Sequence, residues 1–219
     1  MNEFNPDSQG LSRFVLRELR RHEVSVAAQL LGRGMCDNPM NVRAFGIEHR
    51  ERRSRALARF FLPVLEGLYE RGEIAGAFDN ARLLGVSVAA RPRHCQPRTK
   101  EKLRVLPTIV FGNPIGTPVR VLKWVGEWAR RDPTEPHWHL GPIAVDWGLQ
   151  GRGIGSALLT RFCADMDDKN ALSYLETDKS ENVGFYQRFG FSVIAKAEVL
   201  GITNWFMSRL PAEQLAMDA

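Results

Sequence analysis

The chain has 219 residues, of which 44% are hydrophobic and 25% charged, and its formal net charge is +5. This length allows one substantial hydrophobic core or two small ones, and the basic balance favours an anionic ligand without naming it. The sequence lacks the interleaved aromatic and basic residues of single-stranded nucleic-acid binders, and no apolar run reaches the ~18 residues of a membrane helix. Its start, MNEFNPDSQG, is too polar for a signal peptide. We therefore expect a cytoplasmic protein with neither nucleic acid nor membrane as a partner.

The chain contains three cysteines, Cys36, Cys95 and Cys163, which are widely spaced and include no C-x-x-C pair. Zinc sites and disulfide frameworks usually show paired or regularly spaced cysteines. We therefore expect three reduced thiols and no metal.

The first half of the chain alternates between strand and helix patterns. Residues 1–10 are predicted to be a disordered lead, residues 11–210 a single domain and residues 211–219 a C-terminal tail. The elements predicted in this half are a strand at 13–19, a helix at 24–35, a loop at 36–39, a long helix at 52–71, and two strands within 73–92 joined at Asp79-Asn80.

The long helix at 52–71 repeats apolar residues at one-turn spacing opposite a face that carries Arg52, Arg53, Arg59 and Glu66. An arginine-bearing face is compatible with nucleic-acid binding, but charged helix faces are more often simply solvated. We expect this face to be exposed to solvent.

The second half of the chain becomes richer in strands. The predicted elements are two helices within 93–131 broken at 112–118, a turn at 132–136, a strand at 137–145, a helix at 153–167, a strand at 171–177, a short helix at 181–190, and strands at 191–200 and 203–210. Because proline cannot donate a backbone hydrogen bond, Gly141-Pro142 predicts a bulge in the strand at 137–145. These patterns predict an α/β protein with a mixed sheet flanked by helices.

A glycine-rich turn, Gln150-Gly151-Arg152-Gly153-Ile154-Gly155-Ser156, joins a strand to a helix. Backbone N–H groups at such a helix start can bind a pyrophosphate, and glycine lets the backbone approach the anion closely. A phosphate-binding P-loop would need lysine and a hydroxyl residue after a glycine, and a dinucleotide site would need glycines spaced as G-x-G-x-x-G. The sequence fits neither pattern.

The remaining pattern, Q-x-x-G-x-G, resembles the acetyl-CoA motif of the GCN5-related N-acetyltransferases. The later stretch LETDKSENVGFYQRFGF (175–191), with Asn182 and Tyr186, is similar to that family's second signature. Within the family the chain is most similar to the puromycin N-acetyltransferase group, through EPxW (135–138), LET (175–177) and W-x-M-x-R (205–209). The resemblance is strong over 135–210 and weaker upstream.

This resemblance implies a mixed, mostly antiparallel sheet of about seven strands with helices on both faces, splayed between the fourth and fifth strands. It also implies acetyl-CoA as co-substrate, with the pantetheine arm bound along the backbone of the fourth strand. The residues expected to bind acetyl-CoA are Ile143, Ala144, Val145, Gln150, Gly151, Arg152, Gly153, Ile154, Gly155, Ser156, Asn182 and Tyr186.

Acetyl transfer needs a base for the incoming amine and an acid for the leaving thiolate. Tyr186 is the family's usual acid, and a phenol keeps its proton at neutral pH. Three residues are candidates for the base: Glu176, which the family pattern keeps at a strand end, and His137 and His139, which share one strand face. We favour Glu176, with His139 as the alternative.

The expected function is acetyl transfer from acetyl-CoA to a primary amine of a small molecule, such as a metabolite or a puromycin-like antibiotic, by direct attack in a ternary complex. The helix at 52–71 and the 93–131 segment would wall in a compact acceptor pocket. The alternatives are a protein or peptide N-acetyltransferase and an acetyl-CoA-binding sensor without turnover. The protein is expected to be a monomer or a homodimer.

Overall fold

A seven-stranded mixed sheet forms the centre of the computed structural model, which describes residues 14–217. The strands are β1 (Val15–Glu18), β2 (Gly72–Asp79), β3 (Arg82–Ala90), β4 (Trp138–Val145), β5 (Ser173–Thr177), β6 (Ser192–Val199) and β7 (Ile202–Arg209). They lie in the order β1-β2-β3-β4-β5-β7-β6, and every neighbouring pair is antiparallel except β4 and β5. The mixed, mostly antiparallel sheet expected from the sequence is thus confirmed.

Helices cover both faces of this sheet. They are α1 (Val24–Gly34), α2 (Pro39–Phe45), α3 (Arg50–Arg71), α4 (Thr99–Val110), α5 (Thr117–Ala129), α6 (Ile154–Asp168), α7 (Ser180–Gln187) and α8 (Ala212–Met217). Val86 of β3 packs into one core with α1 and α3. The adjacent Gly85 faces α6 so closely that a Cβ atom would lie 2.9 Å from Ile154. None of the described helices has both the length and the apolar character to cross a membrane.

Most predicted elements occur within a few residues of their expected bounds. The exceptions lie at the two ends of the chain and between α1 and α3. The predicted lead at 1–10 lies outside the described residues. The short helix α2 was not predicted; it starts at Pro39, the last residue of the predicted loop, in the first turn where proline is tolerated. The segment 211–219, expected as a tail, contains the short helix α8.

The prediction of a solvated arginine face on α3 is wrong for one residue. Arg53 is buried, with 6% of its surface exposed. Its guanidinium donates to backbone carbonyls of Cys36 and Ile47 and pairs with Asp37 at 2.8 Å. Arg53 therefore links α3 to the loops on both sides of α2, because a buried charge requires partners on each donor.

Strands β4 and β5 diverge, as expected. Their parallel pairing is limited to Trp138 with Ser173 and His139 with Tyr174. Beyond His139, β4 pairs only with β3, and the β3–β4 register shifts opposite Gly141-Pro142, where a bulge was predicted. The edge of β4 that faces β5 is therefore open from Leu140 to Val145, and a gap separates the two strands.

Candidate active site

The glycine-rich turn enters α6 with two glycines in the left-handed region. Gly151 has φ +77° and Gly153, which caps the helix, has φ +79°. Side chains rarely adopt this conformation, and no atom lies within 4 Å of where either Cβ would be. The first intrahelical bond is from the Ala157 amide to the Gly153 carbonyl at 2.9 Å. The amides before it, at the positive end of the helix dipole, are directed towards the open turn.

The other residues of this turn differ in what they offer a ligand. The Ile154 side chain is buried in the core between α6 and the sheet, so only its backbone amide is available. Arg152 is exposed beside the turn. The Gln150 amide group donates to the Val145 carbonyl at 3.4 Å, which connects the turn to the end of β4.

The open edge of β4 continues from this turn. Ile143, Ala144 and Val145 pair with β3 on one side and have no partner strand on the side of β5. A peptide-like ligand can form strand-like hydrogen bonds along such an edge. The turn and the edge together form one continuous track of backbone groups.

A cavity of about 240 Å³ occupies the gap between β4 and β5. Its lining includes Ile143 from β4, His139 at the end of the β4–β5 pairing, Glu176 from β5, and Asn182 and Tyr186 from α7. The structure thus brings the catalytic candidates of three separate elements to one space.

Tyr186 is 5% exposed and borders this cavity from α7. Its burial, together with the nearby charge of Asp178, raises the pKa of the phenol above its usual value. The phenol therefore holds its proton throughout the neutral range. On the preceding turn, the Asn182 side chain donates to the Thr177 hydroxyl at 3.4 Å, so Asn182 is held between α7 and β5.

His139 and Glu176 form a direct pair across the two diverging strands. Nε2 of His139 lies 2.8 Å from Oε2 of Glu176, whose side chain is 3% exposed. Burial alone would lower the pKa of His139, but the charge of Glu176 and hydrogen bonds with its neighbours raise it well above its usual value. Glu176 and His139, the two candidates for the base, are therefore hydrogen-bonded to each other.

His137 lies on the same side as His139, as predicted, and both imidazoles pack edge-on against the Tyr174 ring. His137 Nε2 lies 3.2 Å from Asp132 Oδ1 and 3.4 Å from Cys95 Sγ. Despite burial, the bonds to Asp132 and Cys95 raise the pKa of His137 to about 10. Burial would raise the pKa of the Cys95 thiol, but hydrogen bonds with His137 and His139 lower it to about 7. Sequence reasoning missed Cys95 and Asp132, which lie on loops far apart in the chain.

A second, larger cavity of about 420 Å³ adjoins the first beneath α4 and α5. His139 and Gly141 line both cavities, so the two adjoin at that point. The walls of the larger cavity are mostly apolar and come from α3, α4 and α5; they include Val64, Leu68, Val105, Leu106, Ile109, Val121, Leu122 and Val125. Pockets for small molecules have this size and apolar character.

Comparison with known proteins supports the same family that the motifs resemble. The model of the acetyltransferase (GNAT) family matches residues 59–191. The fold is similar to a histone acetyltransferase HPA2-related protein from Corynebacterium glutamicum, with TM-score 0.68, 23% identity, and 91% of this chain and 97% of the other covered.

Two further solved structures have the same fold at lower identity. An agmatine N-acetyltransferase gives TM-score 0.57 and 15% identity over 90% of this chain and 99% of its own. A PaiA N-acetyltransferase from Thermoplasma acidophilum, solved with coenzyme A, gives TM-score 0.55 and 13% identity over 91% and 99%. At these identities the matches show the fold alone, and they do not support the narrower resemblance to the puromycin N-acetyltransferase group. Because the family model covers more than half of the chain, the chain belongs to the GNAT family of acetyltransferases, whose members transfer an acetyl group from acetyl-CoA.

Proposed function

We propose that this acetyltransferase acetylates the primary amine of a small molecule that has an apolar body. The observation that carries the proposal is the junction at His139 and Gly141, where the cavity between β4 and β5 meets the apolar cavity beneath α4 and α5. A donor bound along β4 and an acceptor held under the helices would meet there. Glu176 and Tyr186 border the same space.

Acetyl-CoA fits the donor side of this junction. The left-handed glycines and free amides of the turn suit a pyrophosphate, with Gln150, Gly151, Arg152, Gly153, Ile154, Gly155 and Ser156 around it. The unpaired edge at Ile143, Ala144 and Val145 suits the amides of a pantetheine arm. Asn182 is within the same cavity and would bind the arm from α7. The thioester supplies the activated acetyl group.

Glu176 is the proposed base. An amine must lose a proton before its nitrogen can attack, and a carboxylate at the junction accepts that proton, directly or through a water. His139 donates from Nε2 to Glu176 Oε2 and so holds the carboxylate in one orientation. His139 acts as a positioning residue in this assignment, and direct proton acceptance by its imidazole is the alternative.

Tyr186 is the proposed acid. As the bond from the acetyl carbon to nitrogen forms, the bond to sulfur breaks and leaves a thiolate. The phenol donates its proton to this thiolate, so free CoA thiol departs, and Tyr186 regains a proton from solvent. Its burial supports this role because the phenol stays protonated at the pH where amines are available.

The acceptor cavity favours a compact substrate over a polypeptide. Its walls are apolar, and its buried charges, Arg71 and Glu101, pair with each other at 3.2 Å. An amine on an aromatic or aliphatic body would bury that body there and present nitrogen at the junction. Amino-nucleosides of the puromycin type fit this description and are therefore included among the candidates.

Release of CoA thiol in the presence of acetyl-CoA and a panel of amines tests the proposal. The panel contains puromycin, aromatic and aliphatic monoamines, polyamines, aminoglycosides, amino acids and short peptides, with acetyl-CoA alone as the blank. We expect turnover with compact apolar amines and a much lower kcat/KM with peptides. A preference for peptides would overturn the acceptor assignment. Binding of CoA with no turnover on any amine would instead indicate a sensor.

Glu176→Gln and His139→Gln separate the base from its positioning partner. If Glu176 is the base, Glu176→Gln lowers kcat by about 10²-fold or more, whereas His139→Gln costs about tenfold. The dependence of kcat/KM on pH distinguishes the two roles further, because the loss of a purely structural contact would not remove a titrating group from this profile. The acid limb of kcat/KM should persist in His139→Gln and disappear in Glu176→Gln, and the reverse result would make His139 the base.

A further inference from the structure

We propose that Cys95, Asp132, His137 and His139 form a tetrahedral zinc site that fastens both ends of the α4–α5 segment to the sheet. The ligand atoms of these four side chains all lie within 4.8 Å of one another. They come from three separate places: the loop after β3, the loop after α5, and the start of β4. The proposal departs from the expectation of no metal, which rested on cysteine spacing along the chain.

Three of the six distances between the ligand atoms match the edges of a zinc tetrahedron. Zinc bonds of ~2.0–2.1 Å to nitrogen or oxygen and ~2.3 Å to sulfur give tetrahedral edges of about 3.3 Å and about 3.5 Å. Asp132 Oδ1 lies 3.2 Å from His137 Nε2 and 3.3 Å from His139 Nδ1. Cys95 Sγ lies 3.4 Å from His137 Nε2. These three edges therefore already have the length that the ion requires, and every other pair of ligand atoms lies within 4.8 Å.

The outer atoms of the same side chains are held by hydrogen bonds that direct lone pairs inward. His137 donates from Nδ1 to the Glu135 carbonyl at 2.8 Å, and His139 donates from Nε2 to Glu176 at 2.8 Å. The free oxygen of Asp132, Oδ2, accepts from Gln96 at 2.9 Å. Metal-binding imidazoles and carboxylates are usually held in this way by a carbonyl, a carboxylate or a donor behind them.

With these outer bonds in place, neutral imidazoles would direct lone pairs at the Asp132 carboxylate and the Cys95 sulfur. Acceptor would then face acceptor in a space where the His137 and Asp132 side chains are 4% and 13% exposed. The cluster therefore needs positive charge at its centre, as protons on the imidazoles or as a metal ion. A zinc ion supplies that charge, and imidazole, thiolate and carboxylate are all ligands that zinc accepts.

The position of the site gives it a structural role beside the acceptor cavity. Cys95 lies four residues before α4 and Asp132 three residues after α5, so a metal bound to both joins the two ends of the segment that covers the cavity. With four protein ligands the site has no open position and is structural. It also fixes His139 as an Nε2 donor to Glu176, and this last consequence rests on the proposed function.

Metal content and spectroscopy of the full chain test the proposal without any activity assay. Protein stripped with a chelator and returned to Zn²⁺ should retain about one equivalent per chain after desalting, with Kd below about 1 μM near neutral pH. Co²⁺ in place of zinc should give the intense visible bands of a tetrahedral site and a thiolate charge-transfer band. Absence of stoichiometric binding, or octahedral Co²⁺ spectra, would overturn the proposal.

Two variants assign the ligands, and a third is the matched control. Cys95→Ser should lose the Co²⁺–thiolate band, and His137→Gln should lower Zn²⁺ affinity at least about tenfold. Cys163→Ser removes another thiol, on the buried face of α6, and should bind as the wild type does. Unchanged binding in both Cys95→Ser and His137→Gln would overturn the assignment. The Co²⁺ spectrum of the wild type decides the matter if either variant fails to fold.

A competing arrangement is a cluster held together by protons on the two imidazoles. In that case Zn²⁺ would not raise the Tm of chelator-treated protein, whereas a zinc site gives a Tm that rises with the logarithm of the Zn²⁺ concentration above Kd. A chain that binds zinc but acetylates no amine would leave this site standing and overturn the proposed function. A chain that acetylates amines but binds no zinc would do the opposite.

Discussion

The two sides of the junction at His139 recognise their ligands by different means. The donor side is built from backbone: the amides of the glycine turn and the unpaired edge of β4. The acceptor side is built from side chains on α3, α4 and α5, which give the larger cavity its apolar walls. Every residue has the same backbone groups, so a donor site of this kind depends mainly on the backbone conformation. The acceptor site depends instead on the identity of each side chain in its walls.

This difference implies that substitutions on the two sides have separable effects. On the donor side the sensitive positions are glycines, since a side chain there distorts the path of the backbone. On the acceptor side a change should alter the KM of the amine and leave the binding of CoA intact. A substitution on one side that changed both the binding of CoA and the KM of the amine would contradict this separation.

The largest effect is expected from Gly153→Glu. The left-handed φ of +79° at Gly153 disfavours any side chain, and a carboxylate there would repel phosphate at the helix start. We expect the Kd for CoA, measured by calorimetry, to rise about 100-fold or more.

The matched control for this change is Gly148→Glu, which adds the same side chain five residues earlier. Gly148 lies outside the left-handed region, and its Cβ would meet open space. It should bind CoA within about threefold of the wild type. Tight binding of CoA to a folded Gly153→Glu variant would show that the phosphate site lies elsewhere.

The next largest effect is expected from Tyr186→Phe. Loss of the phenol proton should lower kcat by about 10²-fold or more, while the Kd for CoA changes little. Steady-state kinetics and calorimetry on the same preparation measure both. Phe185→Leu is a suitable control, since that ring packs against Tyr186 without carrying a proton. An unchanged kcat in Tyr186→Phe would remove the tyrosine from the mechanism.

The fold could be predicted largely from local signals. The hairpin at Asp79-Asn80, the break between α4 and α5, and the bulge at Gly141-Pro142 each follow from residues adjacent in the chain. The helix α2 was missed because a seven-residue helix has too few turns to show a period. The burial of Arg53 was missed because its partner, Asp37, belongs to a different element.

The candidate site divides in the same way. The donor motif could be predicted because its residues are contiguous, from Gln150 to Ser156, and their chemistry depends on local backbone. The cluster around His137 could not, because Cys95 and Asp132 join it only through the packing of α4 and α5. Spacing along the chain, which argued against a metal, carries no information about residues that meet through folding.

A moderate effect on the acceptor side alone is expected from Val105→Lys. Val105 lines the larger cavity from α4 and is not part of the lining of the gap between β4 and β5, and an ammonium there would repel a cationic amine and add a charge to an apolar wall. We expect the KM for the amine to rise about tenfold with the KM for acetyl-CoA unchanged. The control is Leu103→Lys, on the same helix at a residue that is 64% exposed and lines neither of these cavities. Equal changes in both KM values would contradict separate donor and acceptor walls.

The smallest effect is expected for the kcat of the wild type in the alkaline pH range, which should not change. An acid catalyst fails when it loses its proton, but burial beside Asp178 holds the pKa of Tyr186 above its usual value of about 10. The kcat of the wild type should therefore not fall between about pH 8 and pH 10, provided that circular dichroism shows the protein folded throughout. Any rise in kcat/KM over this range then reports deprotonation of the amine, on the acceptor side. A fall in kcat with a midpoint below about 10 that is absent from Tyr186→Phe would mean that the phenol is not buried in the working complex.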